Sequence, residues 1–161
     1  MLHSPRVRET TCCPPFDREA WDGALIVWKD RLFLKVPVKT VFYVPLDMGR
    51  KVARATAQLE GAAARVEGGL MLMQHLSPWT LDLYIDVACD VPGANIVTLG
   101  GTFMCKVFGG GYSDAGRFAA EMQEHVEASG RRVRKLYYAW AMCPKCARAA
   151  GGNSCVLFAE V

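Results

Sequence analysis

The last twenty residues, MCPKCARAAGGNSCVLFAEV, concentrate the reactive side chains: Cys143, Cys146 and Cys155, followed by Glu160. Cys143 and Cys146 form a C-x-x-C pair, a spacing that serves both metal thiolates and thiol–disulfide chemistry. A closed zinc site takes four ligands. Cys155 would be the third, and the fourth would have to come from a distant Cys105 or His75. The redox alternative rests on the order strand, C-x-x-C, short helix, because a thiol at a helix start is acidified. Against it, the motif closes the chain, whereas thioredoxin-like proteins place it early in a βαβ unit. The plainer reading is a Pro-containing turn, a short helix and a Gly-Gly-Asn turn into a last strand, so that the ending positions Glu160. No metal and no cofactor is then expected. A metal or redox protein built on Cys143, Cys146 and Cys155 is one alternative; a non-catalytic drug-binding or regulatory module is the other.

The elements that must position these residues follow from periodicity. KTVFYVP is rich in β-branched and aromatic residues and reads as a strand. From about Asp47 to Val66 the apolar Val52, Leu59 and Val66 recur every seven residues, the stripe of one helix, with Gly68 and Gly69 stopping it. GLMLMQHL is a buried-strand pattern. TLDLYIDV alternates, with Leu81, Leu83, Ile85 and Val87 on one side and Asp82, Tyr84 and Asp86 on the other. After the turn VPGAN the order recurs: strand TFMCKVFGGGY, helix SDAGRFAAEMQEHVEASG, strands KLYYAWAM and SCVLFAEV. Ser113 is the expected cap of that helix, Phe118, Met122 and Val126 its apolar face, and Gly130 its end. LYIDV (83–87) also matches LFAEV (157–161) position by position. The expected fold is α+β: two pseudo-symmetric β-α-β-β modules in an antiparallel sheet, with both helices on one face and a ligand cleft on the other. Residues 1–27 form an N-terminal segment, expected to be poorly ordered, and 28–161 the domain.

That plan gives the helices Leu83, Ile85, Val87, Leu157, Ala159 and Val161. The other face receives Tyr84, Asp86, Phe158 and Glu160, joined by Tyr138 and Trp140 of KLYYAWAM. Aromatics with two acids suit a ligand cleft, large in flat contact area and fixed by a few polar groups. A loop or the N-terminal segment covering the face is the competing possibility. Glu160 is the acid expected to matter, as a general base or as an anchor for a cationic ligand. His75, close to Trp79 in a strand-to-turn region, is the one histidine placed in the site. His125 is expected on a helix surface and His3 in the N-terminal segment.

Bulk properties narrow the partners. Of 161 residues, 52% are apolar and 22% charged, enough for one domain with a real core and no membrane span. The net charge of +3 and a single basic cluster, RRVRK (131–135), lack the basic stripe with interleaved aromatics that nucleic acid requires. Seven cysteines, an odd number without an export signal, predict thiols in a cytoplasmic protein, with Cys89 and Cys105 as core residues. The expected partner is a hydrophobic or cationic small molecule; oligomeric state is open.

With the motifs VPLDMGRKVARA, SPWTLDLYIDV, DVPGA, LGGTFMCKVFGGGY and YYAWAMCPKCARAAGGNSCVLFAEV in this order from about Trp28 onward, the chain resembles the GyrI-like superfamily. It is most similar to the branch of cyclopropanoid cyclopeptide hydrolases. The resemblance implies a cleft between two strand-helix-strand-strand modules, with aromatic side chains that stack on planar or polycyclic ligands. In the hydrolase branch a carboxylate, assisted by aromatic hydroxyls, directs water onto a strained electrophilic ring, for detoxification. Trp79, Tyr112 and Tyr138 fall on positions that are aromatic in the branch, which makes Tyr138 a catalytic candidate beside Glu160. The chain departs from the pattern at KVFGGGY, where the branch reads KVFEGPY, so Gly109 replaces an acid and Gly111 a proline. His75 stands near where the branch carries another acid.

Overall fold

The computed structural model describes residues 13, 16–66 and 68–161. A short helix α1 (Arg18–Trp21) precedes β1 (Leu25–Val41), β2 (Val44–Pro45), α2 (Met48–Gly61), β3 (Met71–Ser77) and β4 (Thr80–Asp86). Then follow β5 (Ile96–Gly109), a 3₁₀ turn (Tyr112–Asp114), α3 (Ala115–Ala128), β6 (Lys135–Trp140), α4 (Pro144–Ala150) and β7 (Ser154–Glu160). All strand pairs are antiparallel, in the order β2-β1-β4-β3-β6-β7-β5, and β5 returns to pair with β1. The sheet is therefore closed, where the sequence predicts an open one with a free face.

Closure has a local cause. The β1–β5 register slips between Trp28 and Arg31, and Asp30 in the bulge takes a positive φ of 47°. Opposite it lie Gly100 and Gly101. A Cβ on Gly100 would sit 3.4 Å from the Trp28 carbonyl oxygen, and Gly101 has φ +127°. The bulge and the two glycines let the long first strand bend from β4 onto β5.

The helices behave as their apolar stripes dictate. Ala55 and Leu59 of α2 and Phe118, Met122 and Val126 of α3 are buried in one cluster with Leu81, Leu83, Ile85, Leu157 and Ala159, so both helices cover the same face. α2 stops at Gly61, short of Val66, because Ala63 turns left-handed (φ 52°) and Arg65 bridges to Val87. The expected cap Ser113 lies inside the 3₁₀ turn; α3 starts after Asp114, whose carboxylate accepts from the Gly111 N–H at 3.0 Å. KTVFYVP is a hairpin rather than one strand, with Phe42 and Tyr43 at positive φ in a two-residue turn.

The other face forms the barrel interior. Trp28, Phe33, Tyr84, Phe103, Tyr137 and Phe158 bury one another there, with Trp28 4.6 Å from Phe103 and Tyr84 5.6 Å from Tyr137, centroid to centroid. Trp21 of α1 meets Phe158 edge-on at 5.5 Å, and Phe16 packs on the same cluster. Interior polar groups are partnered: Arg31 holds Asp86, Lys35 lies 3.4 Å from Asp82, and the Tyr84 hydroxyl donates to Gln74 at 3.0 Å. β1 already begins at Leu25 and pairs with β5 from that residue. The expected poor order of the N-terminal segment, and His3 with it, lie largely outside the described residues.

Candidate functional site

The nine residues singled out in the sequence fall on two opposite faces. Tyr84, Asp86, Phe158 and Glu160 share the barrel interior, as their alternation predicts. Tyr138 and Trp140 do not join them. In the β6–β7 hairpin Tyr138 pairs with Leu157 and Tyr137 with Phe158, so it is Tyr137 that points inward. Tyr138 and Trp140 face the helices. The expected shared face is corrected by one residue of parity, and its openness is corrected as well. Phe158 is fully buried, Tyr84 and Asp86 nearly so. Asp86 accepts from Arg31 Nε at 3.2 Å and Nη2 at 2.5 Å and from the Leu70 N–H at 3.3 Å. Glu160, half-buried at the end of β7 near Gly101, lies across the sheet from Tyr138.

On the helix side the remaining five residues come together with partners the sequence did not single out. Tyr112 meets Trp140 at 4.6 Å, and Trp140 lies 6.3 Å from Phe118. Tyr138 and His75 meet edge-on at 5.4 Å, His75 and Tyr43 at 5.8 Å. Trp79 lies 5.0 Å from Phe42, because Thr40 and Tyr43 in the β1–β2 hairpin donate their N–H groups to the Trp79 and Pro78 carbonyls. The Tyr138 hydroxyl donates to the Ala115 carbonyl at 3.0 Å, and burial pushes its pKa up to about 12. It is a neutral donor in use, not a ready acid.

A cleft of about 530 Å³ opens against Tyr112 and Trp140, its other walls being Gly110, Gly111, Pro144, Ala147, Arg148 and the turn 151–153. Two devices shape it. Gly110 has φ +151°, and a Cβ there would meet Asp114 Oδ2 at 2.5 Å and Phe118 Cζ at 2.9 Å, so only glycine fits. Gly109 and Gly111, the two departures from the branch pattern, face open space. Asn153 ties the far wall: its amide donates to the Met142 carbonyl at 2.8 Å and accepts from the N–H groups of Met142 and Ser154 at 3.1 and 2.8 Å. The signal for this wall was the Gly-Gly-Asn turn, which the sequence reading took only as a connector.

His75 is the one polar group here without a partner: its Nδ1 is buried and makes no hydrogen bond among the described residues. Burial lowers its pKa below 6.5, so the ring is neutral at pH 7. Above pH 6.5 folded and unfolded chains both carry neutral His75; below it the unfolded chain takes up a proton that the folded one resists, and stability falls with pH. His75→Phe, which keeps a ring and removes the titration, should flatten the loss of urea midpoint below about pH 6.5. An unchanged pH profile would show that His75 is not held neutral.

The thiols also sort differently from their spacing. Cys155 is fully buried in β7 and burial raises its pKa; Cys105 inside the barrel is pushed up to about 12. Cys89, expected in the core, is exposed. Cys155 is not part of the cluster with Cys143 and Cys146; Cys13 is.

The family model described as bacterial hydrolase matches residues 3–161. The chain belongs to that family. No curated protein matches this chain. A solved structure of the protein SAV2435 bound to tetraphenylphosphonium aligns with 86% of this chain and 92% of that one, at 10% identity and a TM-score of 0.47. At that similarity the ligand is a property of SAV2435 alone. The antiparallel sheet with helices agrees with the α+β class expected from the sequence. No helix among the described residues of this bacterial hydrolase family member is long and apolar enough to cross a membrane.

Proposed function

We propose that the chain binds planar or polycyclic apolar small molecules in the cleft of Tyr112 and Trp140, with Tyr138, His75 and Trp79 extending the aromatic surface. The observation that carries this is the cleft itself: its size lies in the range of small-molecule sites, and two aromatic rings face glycine, proline and alanine walls. Tyr84, Asp86, Phe158 and Glu160 have no place in this site, since they belong to the barrel interior or its end. The two halves read as a duplication. Strands run first-third-second in β1-β4-β3 and second-third-first in β6-β7-β5, with β3 and β6 meeting at Met73 and Tyr138. Ligand surface would then flank that central pair.

Charge sharpens the ligand class. Among the described residues Arg148 is the only charged one lining the cleft, and no carboxylate lines it. A neutral or anionic ligand therefore fits better than a cation, which keeps the hydrophobic half of the sequence expectation and departs from its cationic half. Tetraphenylborate and tetraphenylphosphonium have nearly the same shape and opposite charge. By isothermal titration, tetraphenylborate should bind about tenfold more tightly, the effect of roughly 1.4 kcal/mol from one partly exposed charge. Arg148→Ala should erase the difference. Preference for the cation would refute this choice of cleft.

Hydrolysis of a strained, cyclopropanoid electrophile is the second reading, supported by membership in a hydrolase family and by His75. A neutral imidazole with an unpartnered, buried Nδ1 can take the proton of an attacking water as the branch's carboxylate would. His75→Phe should then abolish formation of the ring-opened product, heavier by one water, while ligand binding persists. Binding without turnover in the unaltered protein would leave the first reading alone.

A further inference from the structure

The end of the chain and its beginning meet at sulfur. Cys143 stands at the position before α4, Cys146 lies in its first turn and is 2% exposed, and Cys13 approaches from the segment ahead of α1. The Cys143 N–H donates to Cys13 Sγ at 3.2 Å. The sulfurs of Cys13, Cys143 and Cys146 all lie within 4.8 Å of one another. We propose that Cys13, Cys143 and Cys146 bind a zinc ion that clips the N-terminal segment to the wall of the ligand cleft.

Three features favour zinc over chance proximity. Tetrahedral zinc with bonds of about 2.3 Å holds its sulfurs about 3.8 Å apart, so the observed triangle closes on an ion with a contraction of about 1 Å or less. Cys143-Pro-Lys-Cys146 has the two-residue spacing of a zinc-binding turn, and soft thiolates select zinc among the common divalent ions. The third sulfur comes from a residue remote in sequence, as in sites that join two segments. An N–H donated to a sulfur ligand also stabilises its thiolate form, and here it is already in place. Zinc enters as the divalent ion, three thiols release their protons to solvent, and three Zn–S bonds form; no electron is transferred. The fourth position of the tetrahedron is left to solvent or a further donor.

The site has a consequence for the fold. α4 supplies Pro144, Ala147 and Arg148 to the cleft, and the chain after Cys13 supplies Phe16 and Trp21 to the barrel end. A metal between them would hold both in one position. It is independent of the proposed ligand, so either can fail without the other.

The test uses the full chain, purified under reducing conditions without chelator. Elemental analysis should give about one zinc per chain. Cobalt added to the metal-depleted protein should produce a thiolate-to-metal charge-transfer band in the near ultraviolet, and zinc should abolish it. Cys143→Ser and Cys146→Ser should each weaken metal binding at least about a hundredfold, while Cys89→Ser leaves it unchanged. If Cys146→Ser does not fold, the cobalt titration of the unaltered chain and of Cys143→Ser decides. Zinc well below stoichiometric together with no cobalt band would overturn the proposal. So would a disulfide between any two of the three cysteines that persists in the reduced preparation.

Discussion

Phe158→Ala should lower the unfolding free energy by about 3–5 kcal/mol, the usual cost of truncating a fully buried phenylalanine. For a chain of this size that is a fall in melting temperature of roughly 10 °C. The ring is wholly buried, lies 5.6 Å from Trp28 and is capped by Trp21, so truncation leaves a cavity that strands on all sides hold open. Phe158→Leu, which refills most of the space, should cost less than about 1.5 kcal/mol. Trp79→Ala, whose ring is 52% exposed, should change stability by about 0.5 kcal/mol or less. Chemical denaturation of the three variants ranks them. Near-native stability for Phe158→Ala, with altered ligand binding, would restore the open aromatic face and remove the closed barrel.

Trp140→Ala should weaken binding of tetraphenylborate by about 10–100-fold. Losing the larger ring at the centre of an apolar site removes both contact area and one aromatic pair, and such anchors commonly carry 2 kcal/mol or more. Tyr112→Ala, taking away the opposing ring at 4.6 Å, should cost about tenfold. Glu160→Gln should leave the affinity unchanged, because the carboxylate lies on the opposite face of the sheet. Titration calorimetry on the three proteins checks all of this. A Glu160→Gln effect as large as that of Trp140→Ala would return the site to the barrel end.

Much of this architecture was legible because TLDLYIDV alternates polar and apolar residues although both of its sides are buried: its barrel side holds Asp82 and Asp86 against Lys35 and Arg31. TLDLYIDV assigned its two faces correctly, and LFAEV follows it residue for residue: Leu83 and Leu157 under the helices, Tyr84 and Phe158 in the barrel. KLYYAWAM carries no such signal. It is apolar on both sides because both sides are buried, so parity could come only from pairing with β7. Barrel closure was equally silent. It depends on a bulge at Asp30 meeting Gly100 and Gly101, about seventy residues apart in sequence, a long-range match that no local pattern announces. The end of α2 was misplaced for a related reason: Val66 keeps the seven-residue spacing, yet Ala63 has already left the helix. The residues of the proposed site, Trp79, His75, Tyr112, Tyr138 and Trp140, were named from sequence, but by motif position and a faulty face; of them Tyr112 and Trp140 line the cleft. The glycines and Asn153 that shape the cleft passed as turn residues, since their contribution is backbone room and three hydrogen bonds rather than reactive chemistry. Cys13 stands 130 residues from Cys143 in the sequence, and only the fold brings the two together.

A crystal structure of the chain grown with tetraphenylborate measures directly where an apolar ligand sits. Phenyl rings packed between Tyr112, Trp140 and the α4 wall, with Arg148 toward the charge, are the predicted result. Ligand density among Tyr84, Phe158 and Glu160, with the barrel opened to admit it, would contradict it.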